Sequence, residues 1–336
     1  MSSLWSVLVA TVVAGVAIGA VPVAPATVAA IVGHELLGVP AEVTWSASEA
    51  SIVWQVRVPR VLLATMVGAG LAVSGVALQA MVRNVLADPY LLGVTSGAST
   101  GAAAAILFGF GSSLGANALA GSAFLGAMGA SVAVFLIARA AGRVTSVRLL
   151  LAGVAVGYAL YAATSFLIFA ANSAEGSRSV LFWLLGSLSL ARWSSALTVT
   201  VVTVVATVVL LAAAGAKLDA LAIGDETALT LGTSPTRFRA QLLVLVSLCV
   251  GTVVAAAGGI GFVGLVIPHV ARRFVGAAHA RVVPAAALIG AIFLVWADVA
   301  ARTLLQPREL PIGIITALVG APFLLLLVRR FHAAAD

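Results

Sequence analysis

Of the chain's 336 residues, 62% are hydrophobic and 9% charged, with 18 basic and 11 acidic side chains and a formal net charge of +7. Soluble domains carry about 25% charged residues, so a water-soluble body of this size is excluded and lipid is the solvent for most of the chain. The single cysteine, Cys249, leaves neither a disulfide framework nor a thiolate metal site.

Charges mark the joints between predicted spans, each needing about 20 mostly apolar residues. Residues 1–33 carry none and form the first span; the run lacks a basic leader and is longer than the apolar core of a signal peptide. Residues 61–82 are the second. The stretch 89–138 is fifty residues without a charge, too long for one helix, and the Gly/Ser/Asn-rich piece 109–117 divides it into two. Further spans are expected at 149–174, 193–216, 240–271, 282–305 and 310–328, which makes nine, or ten if 240–271 turns back at Gly258-Gly259. No period-2 alternation of a barrel is present, so the predicted class is an all-α polytopic membrane protein.

With ten helices and a cytoplasmic amino terminus, twelve basic residues fall inside: Arg83, Arg139, Arg143, Arg148, Lys217, Arg237, Arg239, Arg272, Arg273, Arg281, Arg329 and Arg330. Six fall outside: Arg57, Arg60, Arg178, Arg192, Arg302 and Arg308. Cytoplasmic loops favour Lys and Arg, so this orientation is preferred, with both termini inside. It accounts for much of the net charge without a nucleic-acid partner.

Several chemistries are excluded or disfavoured. A P-loop needs Gly-Lys-Ser/Thr, and the one lysine, Lys217, stands between Ala216 and Leu218. Any ATP is therefore hydrolysed on another subunit. Gly259-Ile260-Gly261-Phe262-Val263-Gly264 matches G-x-G-x-x-G, but no strand precedes it and no acid follows about twenty residues on; a glycine-rich turn or close helix contact is preferred. Gly97-Ala98-Ser99-Thr100 falls short of a serine-protease elbow, and four scattered histidines supply neither its base nor a metal site. No catalytic residue, metal ligand or cofactor is expected.

An ion-coupled secondary transporter is the alternative from another class, and such proteins place ionisable residues near the midplane. Asp298 is the one carboxylate inside a predicted span. Seventeen residues past Arg281, it lies roughly 25 Å along a helix, close to the outer interface, with Arg302 at the i+4 spacing of a structural ion pair. Small-xxx-small spacings such as Gly97/Gly101 and Gly153/Gly157 read as close helix packing. A path lined by 149–171, with Tyr158, Tyr161, Thr164 and Ser165, is the competing reading there. Val67-Gly68…Gly75 recurs as Val250-Gly251…Gly258, an echo that fits two inverted four-helix halves.

The longest inner polar segment is 217–239, with apolar residues at helical spacing, a hinge at Gly224 and acids at Asp225 and Glu226. A short amphipathic helix pair here reads as a docking element for another protein. A helix lying on lipid would want Lys and Arg on its polar face instead.

A set of motifs then resembles the FecCD family, the permeases of iron-siderophore, haem and cobalamin ABC importers. They are Arg57-Val58-Pro59-Arg60, Gly75-Val76-Ala77-Leu78-Gln79-Ala80, Arg83-Asn84-Val85-Leu86-Ala87-Asp88-Pro89, Leu92-Gly93-Val94 and Leu150-Leu151-Ala152-Gly153-Val154. Phe182-Trp183-Leu184-Leu185-Gly186-Ser187, Leu231-Gly232, Gly261-Phe262-Val263-Gly264-Leu265-Val266-Ile267-Pro268-His269, Glu309-Leu310-Pro311-Ile312-Gly313 and Gly320-Ala321-Pro322-Phe323 continue them. The resemblance implies a type II ABC importer permease fold: one transmembrane permease domain over 1–336, about ten helices, and a homodimer with the path at its two-fold axis. It implies two ATP-binding cassette ATPase subunits, an extracytoplasmic substrate-binding protein and a place in the bacterial inner membrane. The implied cargo is a ferric siderophore or haem, with cobalamin as the alternative. Carried over residue by residue, the binding-protein docking site is Arg57, Arg60 and Arg302, and ATPase coupling falls to Gly224, Asp225, Glu226 and Thr227. The inner gate is Asn84 and Leu86 with Thr145 and Ser146. Val85 stands where proline is common, which predicts a less rigid gate loop.

Overall fold

Every regular element is helical in the computed structural model, which describes residues 1–332 other than Ala20, Ala41, Ala141 and Arg143. In chain order the helices are α1 (Ser2–Ala17), α2 (Pro25–Leu37), α3 (Ala47–Ala50), α4 (Val58–Val82), α5 (Val94–Phe108), α6 (Ala118–Ala140), α7 (Ser146–Ala170) and α8 (Ala174–Leu184). There follow α9 (Ser195–Ala213), α10 (Gly215–Ile223), α11 (Asp225–Thr230), α12 (Pro235–Ala257), α13 (Val263–Val275), α14 (His279–Thr303) and α15 (Ile312–His332). A π-helical turn, Ser51–Arg57, joins α3 to α4, so Ala47–Val82 runs as one rod. Six helical stretches among the described residues are long and apolar enough to cross a membrane, and α1, α2, α5 and α15 are shorter apolar helices.

The ten predicted spans meet helices α1, α4, α5, α6, α7, α9, α12, α13, α14 and α15. Three boundaries differ. Residues 1–33 are not one helix: α1 ends at Ala17, Ile18 is extended, and α2 starts at Pro25. Pro22 and Pro25 lack N–H donors and push their predecessors out of the helical region. The polar segment 217–239 holds the expected pair of short helices, α10 and α11, parted at Gly224, but it ends early: its last residues, from Pro235, already belong to α12. The unpredicted α8 is short and amphipathic, and its N-cap Ser173 accepts the Gly176 N–H at 3.0 Å.

The turn-back at Gly258 is present. Gly258 has φ 72°, and a Cβ there would lie 2.4 Å from the Trp183 carbonyl oxygen, so only glycine fits. The G-x-G-x-x-G stretch is this turn and the start of α13, with no strand before it among the described residues.

α4 is the core rod: all but three of its 25 residues are buried. It lies along α14, where Gly68 and Gly290 bring the two backbones together. Its echo α12 lies along α6, with Gly251 against Ala127 and Met128. Each rod is followed by a short helix, α5 after a lead-in that holds a 3-10 turn (Pro89–Leu92) and α13 after an irregular one. Pairing of α4 with α14 and of α12 with α6 is the pattern that two inverted halves, α4–α7 and α12–α15, would give. α1 runs antiparallel to α4, because Thr11 meets Trp296 and Gly15 meets Arg302 further along α14.

Candidate functional site

α4 carries a polar cluster at each end. At its start, Arg57 is 4% exposed and donates from Nη1 to the Val16 and Ala17 carbonyls at 3.1 and 2.9 Å. Its Nη2 donates to the Val21 carbonyl. The Val16 and Ala17 carbonyls close α1, where the last turn has no helical partners and the dipole favours a cation; Val21 lies in the loop beyond it. Arg60 donates from Nε to Asp298 Oδ1 at 2.8 Å and from Nη1 to Glu309 Oε1 at 2.9 Å. Arg302 donates to the Gly15 carbonyl at 2.6 Å, and its Nε lies 3.4 Å from Asp298 Oδ2, an ion pair not aligned as a hydrogen bond. Asp298 thus sits between two guanidiniums, as its spacing to Arg302 predicted, and Arg60 is the partner that sequence spacing did not show.

The three predicted docking arginines are brought together, yet none is offered to solvent in this conformation, at 4, 7 and 4% exposure. Unpaired carbonyls and a buried carboxylate draw them inward. The exposed cations at this end are Arg178, Arg192 and Arg308. Arg178 and Arg192, with Glu175, Glu309 and Trp183, line an open cavity of 1410 Å³.

At the other end of α4, Arg83 closes the helix with φ 54°. Asn84 Oδ1 accepts the Leu86 N–H at 2.9 Å, and the Asn84 carbonyl accepts the Ala87 N–H at 3.1 Å. This side-chain turn shapes the loop without a proline at Val85. Leu86 is 37% exposed. Thr145 is the N-cap of α7 and accepts the Arg148 N–H at 3.4 Å, a long bond, while Ser146 is buried and donates to the Met81 carbonyl at 3.1 Å. Ser146 thus ties the start of α7 to the end of α4, just ahead of the Asn84–Leu86 turn.

The predicted coupling residues meet this cluster through Asp225. Its carboxylate accepts from Arg239 Nη1 at 2.9 Å and Nη2 at 2.7 Å, and Arg83 Nη1 stands 3.9 Å away. The hydrogen-bonded Arg239 guanidinium holds the Asp225 carboxyl below the usual carboxylate range. Glu226 is exposed, Thr227 half-buried, and Gly224 is extended with φ 163°. α10 is tied separately: Asp219 Oδ1 accepts the His279 N–H at 3.0 Å and lies 2.6 Å from its Nδ1.

Arg239 and the Asp219–His279 pair escaped the sequence reading. One signal was available: Arg237 and Arg239 stand two apart on a helix and so point nearly opposite ways, which forces one inward. Arg237 is exposed and Arg239 is 1% exposed. Arg143, counted among the inner charges, lies outside the described residues. On α7, Tyr158 and Tyr161 are exposed, but Thr164 turns inward and bonds Thr100 Oγ1 at 2.9 Å, tying α5 to α7. Gly97 and Gly101 are helix packing: a Cβ on either would lie 2.3 or 2.1 Å from a carbonyl oxygen of α6. No group of three or more potential metal ligands occurs among the described residues.

Known proteins share this frame. The chain is 44% identical over 278 residues to the cobalamin import system permease protein BtuC of Halobacterium salinarum, covering 83% of this chain and 73% of that one. It is 38% identical over 292 residues to the hemin transport system permease protein HmuU of Yersinia pestis, covering 85% and 86%. A solved structure assigned to a metal-chelate type of ABC transporter in an inward-facing conformation superposes with a TM-score of 0.84 at 34% identity, over 98% of both chains. The profile of the FecCD transport family matches residues 7–330, and with that match, these identities and the shared all-helical frame, this chain belongs to the FecCD transport family.

Proposed function

We propose that this chain is the membrane-spanning permease subunit of an ATP-driven importer that moves a metal chelate, a ferric siderophore or haem, inward from an extracytoplasmic binding protein. The observation that carries the reading is the inner cluster, where Asp225 of the acidic helix pair is bonded through Arg239 to Ser146 of one expected gate segment and to the Met81 carbonyl at the end of α4, just ahead of the other. An element that engages a motor on one side and the gate on the other is what a subunit without a Gly-Lys-Ser/Thr motif needs in order to use ATP. In this reading ATPase subunits dock on α10 and α11, and a second copy of the chain completes the path. The whole chain, 1–336, is one permease domain, in the bacterial cell membrane with both termini cytoplasmic. Asn84, Leu86, Thr145 and Ser146 form the inner gate.

The binding protein docks on the end that holds Arg57, Arg60 and Arg302. Their pairings support a framework role, fixing α1, α14 and Glu309 in register, while exposed Arg178, Arg192 and Arg308 supply charge to the partner. Cobalamin is the second cargo reading, favoured by the name of the relative at 44% identity. The test is uptake of labelled hemin, cobalamin and a ferric siderophore into proteoliposomes holding the permease, its ATPase and its binding protein. Accumulation of one of them that requires ATP is expected. Accumulation driven by a proton gradient without the ATPase would overturn the reading.

A further inference from the structure

Among the fully buried side chains Arg239 is the largest, and it is charged. Buried cations persist only when paired, and this one is paired three ways. Nε donates to the Met81 carbonyl at 3.2 Å, at the end of α4 where the gate loop begins. Nη2 donates to Ser146 Oγ at 3.3 Å, at the start of α7. Nη1 and Nη2 together grip the two oxygens of Asp225, the first residue of α11. Ser146 and Arg239 share the Met81 carbonyl as acceptor, so the three elements form one network.

We propose that Arg239 is the positioning residue that transmits displacement of α11 to the inner gate; the proposal rests on the importer reading above. The two halves of the coupling pair are tied by different side chains: α10 to α14 through Asp219 and His279, and α11 through Asp225 to Arg239 of α12, which in turn holds α4 and α7. Gly224 separates them in an extended, uncrowded conformation, the nearest atom to a Cβ there being Arg83 Nη1 at 3.9 Å. A force on α11 therefore reaches Arg239 through a tie of its own, on the far side of Gly224 from the tie that holds α10. Bidentate guanidinium–carboxylate contacts are short and directional, so a shift of α11 by about one ångström either drags Arg239 with it or breaks the grip. Asp225 is the only carboxylate that Arg239 contacts among the described residues. Once it withdraws, the buried cation must reorganise against the Met81 carbonyl, at the end of α4 just ahead of one gate segment, and Ser146, in the other. Glu226, exposed beside Asp225, remains free to face the motor.

The test uses the complete complex in proteoliposomes, with hemin, cobalamin and a ferric hydroxamate as transported probes, and compares wild type, Arg239→Met, Arg239→Lys and Asp225→Asn. Transport per ATP hydrolysed is measured together with maleimide labelling of Leu86→Cys in a Cys249→Ser background, with and without ATP. Arg239→Met is expected to insert, retain the ATPase and still hydrolyse ATP, with transport per ATP down at least tenfold and labelling no longer dependent on nucleotide. Arg239→Lys, which keeps the charge but not the fork, should recover part of both. A staple with no part in transmission would lower the amount of complex and leave both ratios as in wild type; ratios within twofold of wild type in Arg239→Met overturn the proposal. Where Arg239→Met fails to accumulate, Asp225→Asn decides by the same two ratios. Absence of ATP-driven uptake by the wild-type complex overturns the importer reading and this proposal with it, whereas coupled wild type and coupled variants overturn this proposal alone.

Discussion

Asp298 faces Arg60 and Arg302 with 1% of its side chain exposed, whereas Glu309, the other acid bonded to Arg60, is 42% exposed. Removing one member of a buried ion pair leaves an uncompensated charge and costs about 3–5 kcal/mol, while an exposed pair contributes about 0–1 kcal/mol. Asp298→Asn is therefore expected to lower the thermal midpoint of the purified protein far more than Glu309→Gln does. Equal shifts in the two variants would refute this ranking. Asp225 gives a second residue-scale prediction, with a definite sign. Its carboxyl is held below its ordinary value of about 3.9. A depressed acid contributes stability that is fully present above the unfolded value and is lost as pH falls through the folded one. Between pH 6 and 8 this contribution should be flat, and the gap in midpoint between wild type and Asp225→Asn should close only below about pH 4.

The coupling pair and the α5–α6 contact are the elements whose local geometry makes the sharpest demands. Gly224 is extended and open, so Gly224→Ala should keep ATPase stimulation close to wild type. Gly224→Pro imposes φ near −65° in place of 163° and removes the N–H that bonds the Ala220 carbonyl at 3.2 Å. It is expected to abolish stimulation while binding-protein association continues, both measured on the reconstituted complex. In α5 and α6 the backbones touch. A side chain at Gly101 would lie 2.1 Å from the Ser122 carbonyl oxygen, while Gly129 has nothing within 4 Å. Overpacking typically costs about 1–3 kcal/mol, so Gly101→Val should reduce folded yield and midpoint and Gly129→Ala should leave both in place. A tolerated valine at 101 would mean the two helices can part freely. Helix existence was legible along the chain because charge-free length measures transfer into lipid residue by residue. The break at Ala17 was signalled by Pro22 and Pro25, but an unbroken lack of charge concealed it, since apolarity says where a chain can sit and not whether it stays helical.

For the whole molecule, α4 joins the two polar ends: Arg60 and Gln79 are nineteen residues apart, about 28 Å along the rod. In the importer reading, binding at one end and ATP use at the other would communicate through such packed rods. The outer arginines divide by burial, and this sets a further prediction. Reversing exposed Arg178 and Arg192 to glutamate should slow binding-protein association several-fold at low salt and flatten its salt dependence, because complementary charge acts mainly on encounter. Reversing Arg60 should instead lower the thermal midpoint, placing glutamate beside Asp298. Association kinetics indifferent to the Arg178/Arg192 reversal, at an unchanged midpoint, would move docking elsewhere. By itself the sequence determined the solvent, the helical class, the approximate places of most spans, the break at Gly224 and the turn at Gly258, because each follows from local apolarity, charge or backbone freedom. Only the tertiary structure decided where the charges face. Arg60 meets Asp298 across 238 residues and Arg239 meets Met81 across 158, and pairings at such separations are set by how helices pack, which no local pattern encodes.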